Sequence, residues 1–136
     1  MTETFGCTSG IGELVGLKKV LLVEDNEVIQ FVLEHYLKSI GVEVVKFLNG
    51  EDAWDYWKSN KDIDLIITDI MMPKMNGVEL AHLVRTCLEG GDIPIIAVSA
   101  SAQDIFCESH LSVFNGFIRK PFTRTEFMLS VQKYLK

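Results

Sequence analysis

Five side chains in this sequence have types that could act together, and each stands at the end of a short apolar run. Glu24 and Asp25 follow "KVLLV", Asp69 follows "LIIT", Ser99 closes "IIAVS", and Lys120 follows "FIR". If those runs are adjacent strands, three carboxylates, a hydroxyl and an ammonium meet at one edge. Carboxylates that close repel by about 4 kcal/mol for a pair about 4 Å apart at an effective dielectric of about 20. Such a cluster must hold a proton or a cation. An all-oxygen set without His or Cys suits a hard ion, Mg²⁺ above all, with Mn²⁺ as an alternative. Adding an ammonium and a hydroxyl makes a place for a group with several anionic oxygens, such as a phosphoryl group. Asp69 is then the candidate nucleophile, because a carboxylate can accept a phosphoryl group as an aspartyl phosphate. Each residue taken singly reads equally as a solvated strand end; it is the agreement of four strand ends that speaks for chemistry.

The elements that must position these residues alternate regularly from Lys18 onward. "KVLLVED", "VEVVKFL", "DLIIT", "IPIIAVS" and "GFIRKPF" read as strands, the central ones as unbroken apolar runs of the kind buried on both faces. Between them lie helical patterns. "NEVIQFVLEHYLKSIG" puts Val28, Ile29, Val32, Leu33, Tyr36 and Leu37 on one expected inner face, with Asn26 as cap and Gly41 as stop. "EDAWDYWKSN" is a short helix after an Asn49-Gly50 turn, with Trp54 and Trp57 on one side. "VELAHLVRTCLEGG" turns Leu80, Leu83, Val84 and Cys87 inward. "AQDIFCESHL" is a weak fourth helix, and the fifth opens with a Thr123-x-x-Glu126 capping box. Five βα alternations predict an α/β doubly wound sandwich, the flavodoxin-like (βα)5 architecture with a parallel sheet in the order 2-1-3-4-5. In such sheets ligands sit beyond the carboxyl ends of the strands, at the switch point between strands 1 and 3. That is where the five residues collect.

Composition sets the outer bounds. The 136 residues suffice for one domain with its own core, expected over 18–136, behind a Gly-, Ser- and Thr-rich flexible leader over 1–17. The net charge of −6 disfavours direct nucleic-acid binding. Cys7, Cys87 and Cys107 have neither disulfide-framework nor zinc spacing, and no run approaches the roughly 18 apolar residues of a membrane span. The expected setting is cytoplasmic, without membrane contact. His35, His82 and His110 lack metal spacing and read as helix-surface positions, and Met71, Met72 and Met75 as turn packing.

Four stretches, "LLVEDN", "LIITDIMMPKMNG", "IIAVSA" and "FIRKPF", together resemble the receiver domain of two-component response regulators. The resemblance covers residues 19–136. It implies that Asp25 and Asp69 hold Mg²⁺ directly, Glu24 through water, and Met71 through its backbone carbonyl. It further implies that Asp69 is the phosphoacceptor, Ser99 the switch hydroxyl, Lys120 the partner of the phosphoryl group in a Lys120–Pro121 bond of cis form, and Phe117 the switch aromatic. The implied partners are a sensor histidine kinase or a histidine phosphotransfer protein, and either a downstream target or an output domain outside these residues. On this likeness the chain is a switch that catalyses only its own phosphorylation and dephosphorylation, and its output surface is the fourth helix, fifth strand and fifth helix.

Two departures stand against the family pattern. Ser99 and Lys120 are one position closer in sequence than expected, and "CESHLSVFNG" lacks the usual small residues. Met71 and Ser101, each two beyond a key residue, offer no carboxylate or amide to orient a hydrolytic water. The rival readings are an aspartyl phosphatase, a flavodoxin-like cofactor binder and a pseudo-receiver. The first wants a second Asp where Met71 stands. The second wants a hydroxyl-rich loop where Glu24-Asp25-Asn26 stands. The third is disfavoured by the complete acidic set.

Overall fold

The computed structural model describes residues 18–101 and 112–135. Five parallel strands, β1 (Lys19–Val23), β2 (Glu43–Phe47), β3 (Leu65–Asp69), β4 (Ile95–Ser99) and β5 (Gly116–Arg119), form one sheet in the order β2-β1-β3-β4-β5. Helices α1 (Glu27–Lys38), α2 (Gly50–Ser59), α3 (Gly77–Thr86) and α4 (Arg124–Tyr134) complete the described architecture, with a 3-10 turn at Leu88–Gly90. The flavodoxin-like fold with the 2-1-3-4-5 order is therefore the one expected. The weak helix expected over residues 102–111 and the leader over 1–17 lie outside the described residues; α4 is the fifth helix of the expected alternation.

Successive strand residues point to opposite faces, and this alternation divides the core in two. Leu21, Val23, Ile66, Ile95 and Ala97 pack with Ala53 and Trp57 of α2 and with Leu80, Ala81 and Val84 of α3. Val20, Leu22, Ile67, Ile96 and Val98 pack with Leu33 and Leu37 of α1 and with Phe127 and Val131 of α4. All five residues of β3 and of β4 are buried, so neither strand has a solvent-facing side. Each fully buried Leu or Ile contributes about 2 kcal/mol of transfer free energy, which pins the carboxyl ends of β3 and β4. Asp69 is level with Val98, and Ser99 with Arg119.

The helix ends follow local rules. Asn26 accepts the amide hydrogens of Val28 and Ile29, and Gly41 adopts φ +82° after α1. Capping boxes open α3 (Asn76/Glu79) and α4 (Thr123/Glu126). Asn49-Gly50 is not a free turn. Asn49 caps α2 through the Asp52 amide, and Gly50 is its first helical residue.

The inner face of α1 also differs from the expected one. The buried row is Gln30, Leu33, Glu34 and Leu37, while Val28 is 73% exposed and Val32 37%. The apolar stripe is wider than the arc that the sheet can cover. The two polar members of the buried row are tolerated because each has partners: Gln30 bonds carbonyl oxygens, and Glu34 pairs with Lys46 and Lys38. On α3, Leu83 and Cys87 are half-buried rather than facing the core.

Candidate functional site

The acidic loop leaves the sheet where β1 ends. Glu24 is 1% exposed and its Oε2 accepts the Asn26 amide at 3.1 Å, so the carboxylate is folded back against its own loop. Asp25 beside it is exposed. Asp69, at the end of β3, is buried to 6%. Glu24, Asp25 and Asp69 can place one carboxylate oxygen each within 4.8 Å of one another.

Backbone hydrogen bonds close the loop after Asp69 and tie it to α2. Gly77 N–H donates to Ile70 O at 2.9 Å, closing the turn through "MMPKMN", with Lys74 at φ 68°. A Cβ on Gly77 would run into the Asp69 carbonyl oxygen, so only glycine lets α3 start this close to the acid. Gly50 N–H donates to Met75 O at 3.1 Å and ties the same loop to α2. The Thr68 hydroxyl donates to Asp69 O at 2.9 Å.

Lys120 enters from the end of β5 and meets two of the acids. Its Nζ donates to Asp69 Oδ2 at 2.9 Å and lies 3.2 Å from Glu24 Oε1. The second contact is an ion pair, and Glu24 Oε1 is buried with no other partner among the described residues. The Lys120–Pro121 bond is cis, as expected.

Burial raises the Glu24 carboxyl, and the Asp69 charge raises it further. The Asn26 amide and the Lys120 ammonium oppose them, and the balance leaves Glu24 pushed up to about 7. For Lys120, burial acts downward. The Asp69 hydrogen bond and the charges of Glu24 and Asp69 outweigh it, and the ammonium is held above its ordinary value. One ammonium among three carboxylates thus leaves negative charge uncompensated. The donor set is all oxygen, and it includes the buried Glu24 Oε1, which faces the Lys120 ammonium as an ion pair. Both features fit a hard divalent cation such as Mg²⁺.

The structure thus brings Glu24, Asp25, Asp69 and Lys120 together. Ser99 closes the neighbouring strand, 1% exposed; its hydroxyl donates to Ser101 O at 3.2 Å and accepts from Ser101 N–H at 3.0 Å. Phe117 stands apart, half-buried on β5 with its ring edge-on to Phe114 at 5.6 Å between centroids. The Met71 side chain is 70% exposed and points away from any packing role.

Sequence reasoning missed two features at the rim. Gln30 reaches under the acidic loop from α1. The exposed Val28 lines an apolar groove of about 420 Å³ together with Val32, Tyr36, Pro121 and Phe122. Reading the α1 stripe outward from Leu33 and Leu37 rather than from Val28 would have found the exposed Val28; no sequence signal points to Gln30.

Comparison with known proteins covers most of the chain. The response regulator receiver domain family matches residues 20–132. A chemotaxis protein CheY homolog of Campylobacter jejuni is 35% identical over 107 residues, 77% of this chain and 82% of that protein. Hybrid signal transduction histidine kinase L of Dictyostelium discoideum is 33% identical over 126 residues, 88% of this chain but 7% of that much longer protein. Among solved structures, the receiver domain of sensor histidine kinase PA1611 from Pseudomonas aeruginosa aligns with a TM-score of 0.79 and 31% identity, over 88% of this chain and 98% of that one. That domain was solved with a magnesium ion coordinated in its active site cleft.

Proposed function

This chain belongs to the response regulator receiver domain family, and on that footing we propose that it is a phosphoacceptor switch in which Asp69 receives a phosphoryl group from a phosphohistidine. The observation that carries this reading is the contact of Lys120 Nζ with Asp69 Oδ2 at 2.9 Å, inside a cluster of three carboxylates at the carboxyl edge of the sheet. An Asp69 carboxylate oxygen attacks phosphorus in line, the phosphorus–nitrogen bond of the donor imidazole breaks, and the imidazole leaves with its electron pair and takes a proton. Lys120 stays beside the new phosphate and pairs with one of its oxygens, while a rotated Ser99 hydroxyl donates to another.

The cation would be held by Asp25, Asp69, the Met71 carbonyl and, through water, Glu24. The chemistry that a bound Mg²⁺, or Mn²⁺ in its place, supplies is neutralisation of charge on the transferring group.

The phosphodonor is a sensor histidine kinase or a histidine phosphotransfer protein. Its histidine must come within bonding distance of Asp69, so its surface must cover the rim. The exposed Val28 and Val32, with Pro121 and Phe122, offer that surface an apolar seat beside the acid. Phosphorylation favours the arrangement in which Ser99 and Lys120 both reach the new oxygens. Ser99 thereby leaves Ser101, and Phe117 turns inward. The output surface to which β5 and α4 contribute then changes shape for a downstream target or an output domain. The protein turns over no separate substrate, and it works in the cytoplasm, where phosphohistidine is regenerated from ATP.

Intact mass after incubation with Mg²⁺ and a small acyl phosphate tests this. One added phosphoryl group is expected with metal and none with chelator. An adduct of equal yield in chelator would overturn the reading.

A further inference from the structure

We infer that Gln30 is a positioning residue for the acidic loop: its buried side-chain amide sets where Glu24 and Asp25 stand relative to Asp69, and thereby the affinity of the site for a divalent cation. The inference rests on the phosphoacceptor reading above and goes beyond it to a residue outside the acidic cluster.

Gln30 lies on α1, one turn beyond the cap, and is 7% exposed in the row that packs on the sheet. Of its neighbours in that row, Leu33 and Leu37 are plain core residues, and Glu34 is the other polar member, paired with Lys38 and Lys46. An amide there is costly unless its hydrogens are bonded. Gln30 Nε2 donates to Phe47 O at 2.8 Å and reaches Glu24 O at 3.4 Å.

Those two carbonyls mark a particular place. The pairing of β1 with β2 ends at Val23 and Phe47. One further bond, Glu24 N–H to Phe47 O at 3.1 Å, carries the ladder past it. Glu24 is thus the residue at which the chain leaves the sheet. Its amide is fixed to β2, its carbonyl faces Gln30, and its carboxylate faces Lys120. Gln30 closes the loop at its base, as Asn26 closes it at its tip through the Glu24 carboxylate. With the amide removed, the Glu24 peptide is free to tilt, and both acidic side chains move with it. Three oxygen donors hold a small hard cation well only when their spacing is kept.

The test is a calorimetric titration of Mg²⁺ into the full chain and three variants. Gln30→Met keeps the length and burial of the side chain and removes the donor. Gln30→Asn keeps the amide but withdraws it by one methylene from Phe47 O, and serves if the first variant does not fold. Val131→Ala opens the core against α4 and lowers stability without touching the loop. Both Gln30 variants are expected to bind Mg²⁺ about tenfold or more weakly than wild type, and Val131→Ala to bind as wild type does despite a lower melting temperature. Unchanged affinity in a folded Gln30 variant, or an equal loss in Val131→Ala, would overturn the positioning role alone. A wild-type chain that takes up no Mg²⁺ would overturn both this role and the phosphoacceptor reading.

Discussion

The substitution Glu24→Gln should stabilise the metal-free protein, and the gain should appear only above acidic pH. Glu24 is buried, near Asp69, and pushed from an ordinary value of 4.5 to about 7. A carboxyl whose folded value is raised contributes stability that is fully present below its unfolded value and is lost as pH rises through its folded value. Between about pH 4.5 and 7 this one group therefore removes about 3 kcal/mol, at roughly 1.4 kcal/mol for each pH unit between the two values. Burial is the larger cause and repulsion by Asp69 adds to it, against the Asn26 amide and the Lys120 ammonium; two charges at the cluster's outer spacing of 4.8 Å repel by about 3.5 kcal/mol at an effective dielectric of about 20. The introduced glutamine keeps an oxygen for the Asn26 amide and carries no charge to repel Asp69. In chelator, the variant should match wild type near pH 4.5 and melt about 10 °C above it at pH 8, at roughly 4 °C per kcal/mol for a domain of this size. Saturating Mg²⁺ should close the gap by raising wild type, by about 2.7 kcal/mol at a hundredfold excess over Kd. Thermal melts across pH, with chelator and with Mg²⁺, read all of this. A variant less stable than wild type at pH 8 in chelator, or one with an unchanged pH slope, would refute the electrostatic account.

Three further outcomes are expected. Lys120→Met removes the ammonium bonded to Asp69; titration should show Mg²⁺ binding severalfold tighter, while acyl-phosphate labelling slows by roughly tenfold to a hundredfold. Arg85 donates to the carbonyls of Gly90, Ile93 and Val113 and to Asn115 Oδ1, so Arg85→Ala should cost about 2–4 kcal/mol in denaturant unfolding and leave Mg²⁺ affinity unchanged. Neither Met71, 70% exposed, nor Ser101 brings a carboxylate or amide to orient a hydrolytic water well, so phosphate release timed after donor removal should be slow to intermediate; a half-life of a few seconds would contradict this.

The fold is legible in the sequence because its central strands are buried on both faces and therefore read as uninterrupted apolar runs ending in charged or polar residues. The same feature exposes the site, since Asp69 and Ser99 interrupt that pattern at the points where the strands stop. Periodicity gives the direction of the α1 stripe but not the width of the arc that the sheet covers, so Val28 and Val32 read as inward when they are not. Gln30 escapes notice for the complementary reason: a polar residue in a buried row is visible only once its carbonyl partners on Glu24 and Phe47 are known. The Arg85 cluster is equally hidden, because its acceptors are mostly backbone oxygens from two separate loops. Asn49-Gly50 has the composition of a turn, and only the proximity of Met75 shows why glycine is needed at the start of α2.

The central claim is that Asp69, and no other residue, carries the phosphoryl group. Borohydride reduction of the labelled protein converts an aspartyl phosphate to homoserine, which peptide mass spectrometry locates. The account predicts homoserine at position 69 in wild type and no conversion anywhere in Asp69→Asn. Conversion at Asp25 or Glu24, or a borohydride-resistant phosphate on Ser99 or a histidine, would contradict it.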